Sequence, residues 1–137
     1  TDVDFCETER ENKNGTVWQI NAVAPGTLSS LSLKLDYYLI QISTDMVFSE
    51  DEKDPGPYDE SHAIEEDPSR MTWYGFTKKE AEKLVIKYLG EDSTTLRINY
   101  PVRAKFDKKP DFIRKPLSLF DQKDPLLLPL SLPTLFL

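Results

Sequence analysis

At 137 residues, with 39% hydrophobic and 11% aromatic side chains, the chain carries enough apolar material for one domain with a core. Its net charge of -7 and pI near 4.7 exclude a general grip on nucleic acid, which needs clustered Lys and Arg to neutralise phosphates. A single cysteine, Cys6, excludes an internal disulfide and a paired-thiolate metal site, so a cytoplasmic protein without a structural metal is expected.

No secretory signal pattern is present. The longest apolar-rich run, 125–137, is interrupted by Pro129 and Pro133 and falls short of the roughly 20 apolar residues that span a bilayer, so no membrane partner is expected. The opening residues, Thr1-Asp2-Val3-Asp4-Phe5, read as the interior of a longer protein, and the stretch to about Asn14 is polar and charged. Val17, Ile20, Ala24, Leu28, Leu31 and Leu35 then recur at helical spacing, which predicts one apolar stripe laid against a sheet. Pro25 and Gly26 interrupt this stripe and predict a kink or restart.

Tyr37 to Ile42 is a nearly continuous apolar run, the pattern of a strand covered on both faces, and it delivers Ser43, Thr44 and Asp45 at its carboxyl end. From Ser49 to Pro68 follows a proline-bearing loop with nine Asp or Glu against one Lys, read as a solvated surface loop in which His62 is exposed. A helix is predicted over Met71 to Leu89, with Ser69 as N-cap and Gly90 as its stop. Trp73, Phe76, Ala81, Leu84, Val85 and Tyr88 form its apolar face, with Lys79, Glu80, Glu82 and Lys83 opposite. Thr94 to Asn99 reads as a second buried strand, Asp111 to Phe120 as a short helix and Leu126 to Leu130 as a third strand. Alternating strands and helices argue an α/β fold with a parallel sheet, in which ligands sit beyond the carboxyl ends of the strands.

Tyr74 and Lys78 stand four apart on the predicted helix, so both side chains share one face. A phenol ionises at about pH 10, and a neighbouring ammonium lowers that value and makes the group a better proton donor or acceptor near neutrality. The spacing alone is weak evidence. Its order in the chain, after a strand ending in Ser43-Thr44-Asp45 and a loop, makes it more specific. Cys6, with no catalytic partner, reads as a small packing residue.

In this order the residues resemble the extended short-chain dehydrogenase/reductases, and most closely the dTDP-4-dehydrorhamnose reductase branch. The resemblance runs through Thr1-Asp2-Val3-Asp4 with Cys6-Glu7, Asn21-Ala22 with Ala24-Pro25, and Ile42-Ser43-Thr44-Asp45-Met46-Val47-Phe48. It continues through Tyr74-Gly75-Phe76-Thr77-Lys78 with Ala81-Glu82, then Leu96-Arg97 and Pro133-Thr134. It implies a partial Rossmann-like fold, a doubly wound parallel sheet lacking the N-terminal phosphate-binding half and most of the substrate lobe, over 1–137 as a single truncated domain. The implied reaction is reduction of the 4-keto group of a dTDP-4-keto-6-deoxyhexose by NADPH or NADH, in the making of dTDP-L-rhamnose.

The resemblance also implies roles. Tyr74 is the proton donor, Lys78 holds the nicotinamide ribose and lowers the Tyr74 pKa, and Thr44 hydrogen-bonds the reacting oxygen. Ser43 contacts the cofactor, Asp45 binds sugar hydroxyls, Tyr100 takes a substrate-contacting position, and Asn21 matches a position near the site. The whole protein is compatible with a homodimer. A non-catalytic regulatory subunit like that of methionine adenosyltransferase belongs to the same branch and is the other functional reading, with a relic fragment as a third. The sequence departs from the pattern at Met46, where Tyr is expected, and at Asn99-Tyr100-Pro101. Its glycines, at 15, 26, 56, 75 and 90, form no glycine-rich turn for a pyrophosphate, so tight dinucleotide binding by these residues alone is not expected.

Overall fold

Two parallel strands backed by helices organise the computed structural model, which describes residues 2–49 and 52–99. The expected helix Asp111 to Phe120, the strand Leu126 to Leu130 and Tyr100 lie outside the described residues. In order, the elements are α1 (Val3–Thr8), α2 (Thr16–Trp18), a π-helical turn (Gln19–Val23), α3 (Ala24–Leu35), β1 (Leu39–Thr44), α4 (Trp73–Leu89) and β2 (Ser93–Ile98). Short 3-10 turns cover Asp45–Val47, Pro68–Arg70 and Gly90–Asp92.

The polar opening stretch, to which the sequence assigns no element, contains the short helix α1. Asp2 caps α1 by accepting from the Phe5 amide at 3.1 Å, and Cys6 is fully buried, packed with Val17 and Trp73 as a small core residue. Burial raises the Cys6 thiol pKa.

Of the predicted stripe along 17–35, Val17 is buried as expected, but the rest faces the wrong way. Ile20, Leu28, Leu31 and Leu35 are 62%, 53%, 48% and 51% exposed, while Ala22, Pro25, Gly26, Ser29 and Ser32 are buried. Close approach wins over side-chain size here: a Cβ on Gly26 would stand 2.9 Å from Leu84 Cδ1 of α4. The expected restart at Pro25 is present: a π-helical turn, closed by the Ala24 amide on the Gln19 carbonyl, gives way at Ala24 to α3, which carries the proline in its first turn.

Strand β1 runs two residues further than expected, to Thr44, and pairs in parallel with β2 from Leu39 opposite Ser93 to Thr44 opposite Ile98. The expectation of cover on both faces fails among the described residues. Alternation along a strand puts Gln41 and Ser43 on one face, buried, and Ile40 and Ile42 on the other, exposed together with Leu96 and Ile98 of β2. The polar positions thus face inward and the apolar ones outward.

Thr72, not Ser69, caps α4, accepting from the Gly75 amide at 3.0 Å; Gly90 ends the helix at a positive φ of 52°, as expected. Lys79 and Glu82, expected on the solvent side, are 1% and 2% exposed. Each is buried because each is paired. Lys79 Nζ donates to the Glu65 carbonyl at 2.9 Å, and Glu82 accepts from Arg97 Nη2 at 2.8 Å and Nε at 3.2 Å, which ties α4 to β2.

The acidic loop is fastened rather than free. Tyr58 stacks on Phe48 with centroids 4.2 Å apart, the Glu65 amide donates to the Val47 carbonyl at 3.0 Å, and Ile64 packs against Val47, Phe48 and Met71. His62 is not simply exposed: its ring meets Phe48 and Tyr58 edge-on, and Nε2 lies 3.0 Å from Asp54 Oδ2. Among the described residues, no helix is long and apolar enough to cross a membrane, and no group of three potential ligand side chains could hold a metal ion.

Removing one partner of a buried ion pair strands the other. We predict that Glu82→Ala lowers unfolding free energy by about 3 kcal/mol in urea titration, the lower end for a buried pair because Arg97 keeps some access to water. A loss within about 0.5 kcal/mol, as for an ordinary surface change, would sink this account of the α4 to β2 tie.

Candidate active site

The site is assembled where the carboxyl end of β1 meets the first two turns of α4. Ser43 and Thr44 are buried at the strand end, 2% and 6% exposed. Thr44 acts at once as strand terminus and cap of the turn that follows: its hydroxyl accepts from the Met46 amide at 3.3 Å and donates to Asp45 Oδ1 at 3.0 Å. Ser43 Oγ is buried with no hydrogen-bond partner among the described residues. A buried hydroxyl left unpaired carries a free-energy cost, so it is a group poised for a partner the described residues do not supply.

On the helix side, Tyr74 and Lys78 follow the Thr72 cap. Gly75 between them lets α4 approach the strand end, because a Cβ there would overlap the Met46 carbonyl oxygen. Lys78 Nζ donates to the Ile42 carbonyl at 2.6 Å, so the lysine reaches the very strand that ends in Ser43 and Thr44. Thr77 is fully buried, donates to the Tyr74 carbonyl at 2.8 Å and accepts from Asn21 Nδ2 at 3.3 Å. Asn21 lies in the π-turn, and through Thr77 it is linked to the backbone of Tyr74.

The structure therefore brings Ser43, Thr44, Asp45, Tyr74 and Lys78 to one place, with Asn21 joined through Thr77. Tyr100 lies outside the described residues. Thr77 and Gly75 went unassigned in the sequence reading, although both fall inside the Tyr-x-x-x-Lys spacing; burial and close approach are properties of the packed helix, which the spacing does not reveal.

The electrostatics run against one expectation. Burial pushes the Tyr74 phenol above its ordinary pKa, and the charges of Cys6 and Asp45 add to the rise. Burial likewise pushes Lys78 down, partly offset by Glu82. The ammonium is spent on the Ile42 carbonyl, and desolvation decides both shifts.

A folded-state pKa raised above the unfolded value means that the phenol favours the folded chain below about pH 10, and that this contribution is lost as pH rises through the folded value. Tyr74→Phe removes that loss while leaving Lys78 common to both proteins. The parent is expected to lose stability relative to Tyr74→Phe above about pH 10 in urea titrations; parallel stability curves would contradict the burial of the phenol.

Comparison with protein-family models matches residues 1–128 to the family described as the RmlD substrate binding domain. The chain is also similar to a dTDP-4-dehydrorhamnose reductase of Mycolicibacterium smegmatis, 35% identical over 86 residues, which covers 63% of this chain and 24% of that protein. It thus spans about a quarter of the length of that curated relative. No solved structure matches it.

Proposed function

The chain belongs to the RmlD substrate-binding domain family, and we propose that it forms the central, active-site segment of a dTDP-4-dehydrorhamnose reductase that uses NADPH or NADH. The observation that carries this reading is the meeting of a buried Ser43-Thr44 strand end with Tyr74 and Lys78 on one helix. The similarity to a named dTDP-4-dehydrorhamnose reductase supports the choice of substrate, a dTDP-4-keto-6-deoxyhexose.

Bound NAD(P)H supplies the hydride. Tyr74 donates the proton to the ketone oxygen as the carbonyl carbon is reduced; burial keeps the phenol protonated but makes it a weaker acid, so the transfer relies on its position beside the oxygen. Thr44 hydrogen-bonds the same oxygen, and Asp45 accepts from sugar hydroxyls. Lys78 gives one ammonium proton to the Ile42 carbonyl, and its remaining two would hold the ribose hydroxyls of a bound cofactor. Ser43, with its unpartnered buried hydroxyl, fits a contact to the nicotinamide end of the cofactor. Tyr100 is assigned to the substrate side.

The two strands are read as part of a larger doubly wound parallel sheet. Ile40, Ile42, Leu96 and Ile98 line a face left uncovered among the described residues, and parallel sheets are stable when both faces are covered. The pyrophosphate anchor is assigned to sequence outside these 137 residues, because their glycines form no cradle for it. In calorimetry, NADPH is expected to bind a protein extended upstream through a phosphate-binding segment, with no measurable heat for the 137-residue chain. Tight binding by the 137-residue chain would overturn this placement of the cofactor.

A further inference from the structure

We infer that Glu7 and Arg10 form a clamp that positions Tyr74 by holding the backbone at the start of α4. The inference rests on the reading of Tyr74 as the proton donor, and it adds residues that no motif assigns to the site. Glu7 Oε1 accepts a hydrogen bond from the Trp73 amide, the first residue of α4 and the neighbour of Tyr74. Glu7 Oε2 pairs with Arg10 Nε at 2.8 Å, and Arg10 Nη2 donates to the Met71 carbonyl at 2.9 Å. Glu7 of α1 and Arg10 in the turn after it thus hold a donor and an acceptor on either side of the Thr72 cap.

The chemistry of a helix start explains why this grip is selective. The first amides of a helix have no partner within it; Thr72 satisfies Gly75, and Glu7 satisfies Trp73 with a charge-assisted bond at the positive end of the helix. Cys6, next to Glu7, packs against the Trp73 side chain, so α1 holds that residue by backbone and ring together. Tyr74 follows with no intervening residue. Glu7 does not act on the phenol as a charge, since the charges that bear on Tyr74 are those of Cys6 and Asp45. Its influence is through position, and loosening it lets the first turn swing the phenol away from Cys6 and Asp45 toward water.

The test is an NMR titration of ring-labelled tyrosine in the 137-residue chain, with the Tyr74 signal identified by its loss in Tyr74→Phe. In Glu7→Ala the Tyr74 midpoint is expected to fall toward that of an exposed tyrosine, whereas Glu7→Gln, which keeps a carbonyl oxygen for the Trp73 amide, stays near the parent. Val85→Ala, a core truncation further along α4, is the control: it lowers Tm and leaves the midpoint in place. A midpoint unchanged in Glu7→Ala, or moved equally by Val85→Ala, would overturn the clamp. Should Glu7→Ala fail to fold, Arg10→Met replaces it, with a smaller fall expected and no fall counting against the clamp. In the upstream-extended protein the same Glu7→Ala change is expected to lower kcat by about tenfold to a hundredfold with KM little altered. Absence of turnover in the unmutated extended protein counts against the reductase reading and leaves the titration to decide the clamp.

Discussion

Gly75 stands against the carbonyl oxygen of Met46 with no room for a Cβ between them, and this close approach fixes the distance between the first turn of α4 and the end of β1. The other features of the site follow from it. With the helix so near, Lys78 reaches back to the Ile42 carbonyl, and the phenol of Tyr74 comes under the influence of Asp45 at the strand end. The second helix obeys the same rule: α3 presents small residues to α4 and turns its leucines outward, because Gly26 must pass Leu84. Interiors are close-packed, so the residues that set a spacing are often the smallest ones.

That closeness buries polar groups, and nearly all of them are answered. Lys79 is held by loop carbonyls, Glu82 by Arg97, Thr77 by Asn21 and the Tyr74 carbonyl. Among the described residues Ser43 Oγ and Trp73 Nε1 are not, and the Ser43 hydroxyl lies in the strand that carries Thr44. A paired network rigidifies what it surrounds, while an unpaired group among paired ones marks a place for something else. The same contrast sets the charge states. Desolvation raises the pKa of the Tyr74 phenol and lowers that of the Lys78 ammonium.

The sequence made the active elements legible because they obey short-range rules. The strand that leads into Ser43 and Thr44, the helix stopped by Gly90 and the second strand from about Thr94 follow from apolar runs and from glycine at a helix end. Tyr74 and Lys78 share a face by simple spacing. What the sequence hid is long-range. The apolar residues of 17–35 suggest a core stripe, yet size gave way to close approach. Lys79 and Glu82 read as solvent charges because their partners, the loop carbonyls and Arg97, come from other parts of the chain. Glu7 lies 66 residues from the amide it caps, so no local pattern reveals it. The lowered Tyr74 pKa expected from its lysine neighbour failed for the same reason: burial and the lysine's bond to Ile42 are tertiary facts.

The sheet, polar toward its own helix and apolar on a face left exposed among the described residues, fits a parallel sheet whose second face is covered by further helices. The account stands on Tyr74 as the proton donor of a sugar-nucleotide reductase. Its most direct test is NADPH-dependent turnover of a dTDP-4-keto-6-deoxyhexose by the upstream-extended protein, with and without Tyr74→Phe. The account predicts turnover that falls by about a hundredfold or more in the variant, the scale of a lost general acid. Turnover undiminished by Tyr74→Phe would contradict it.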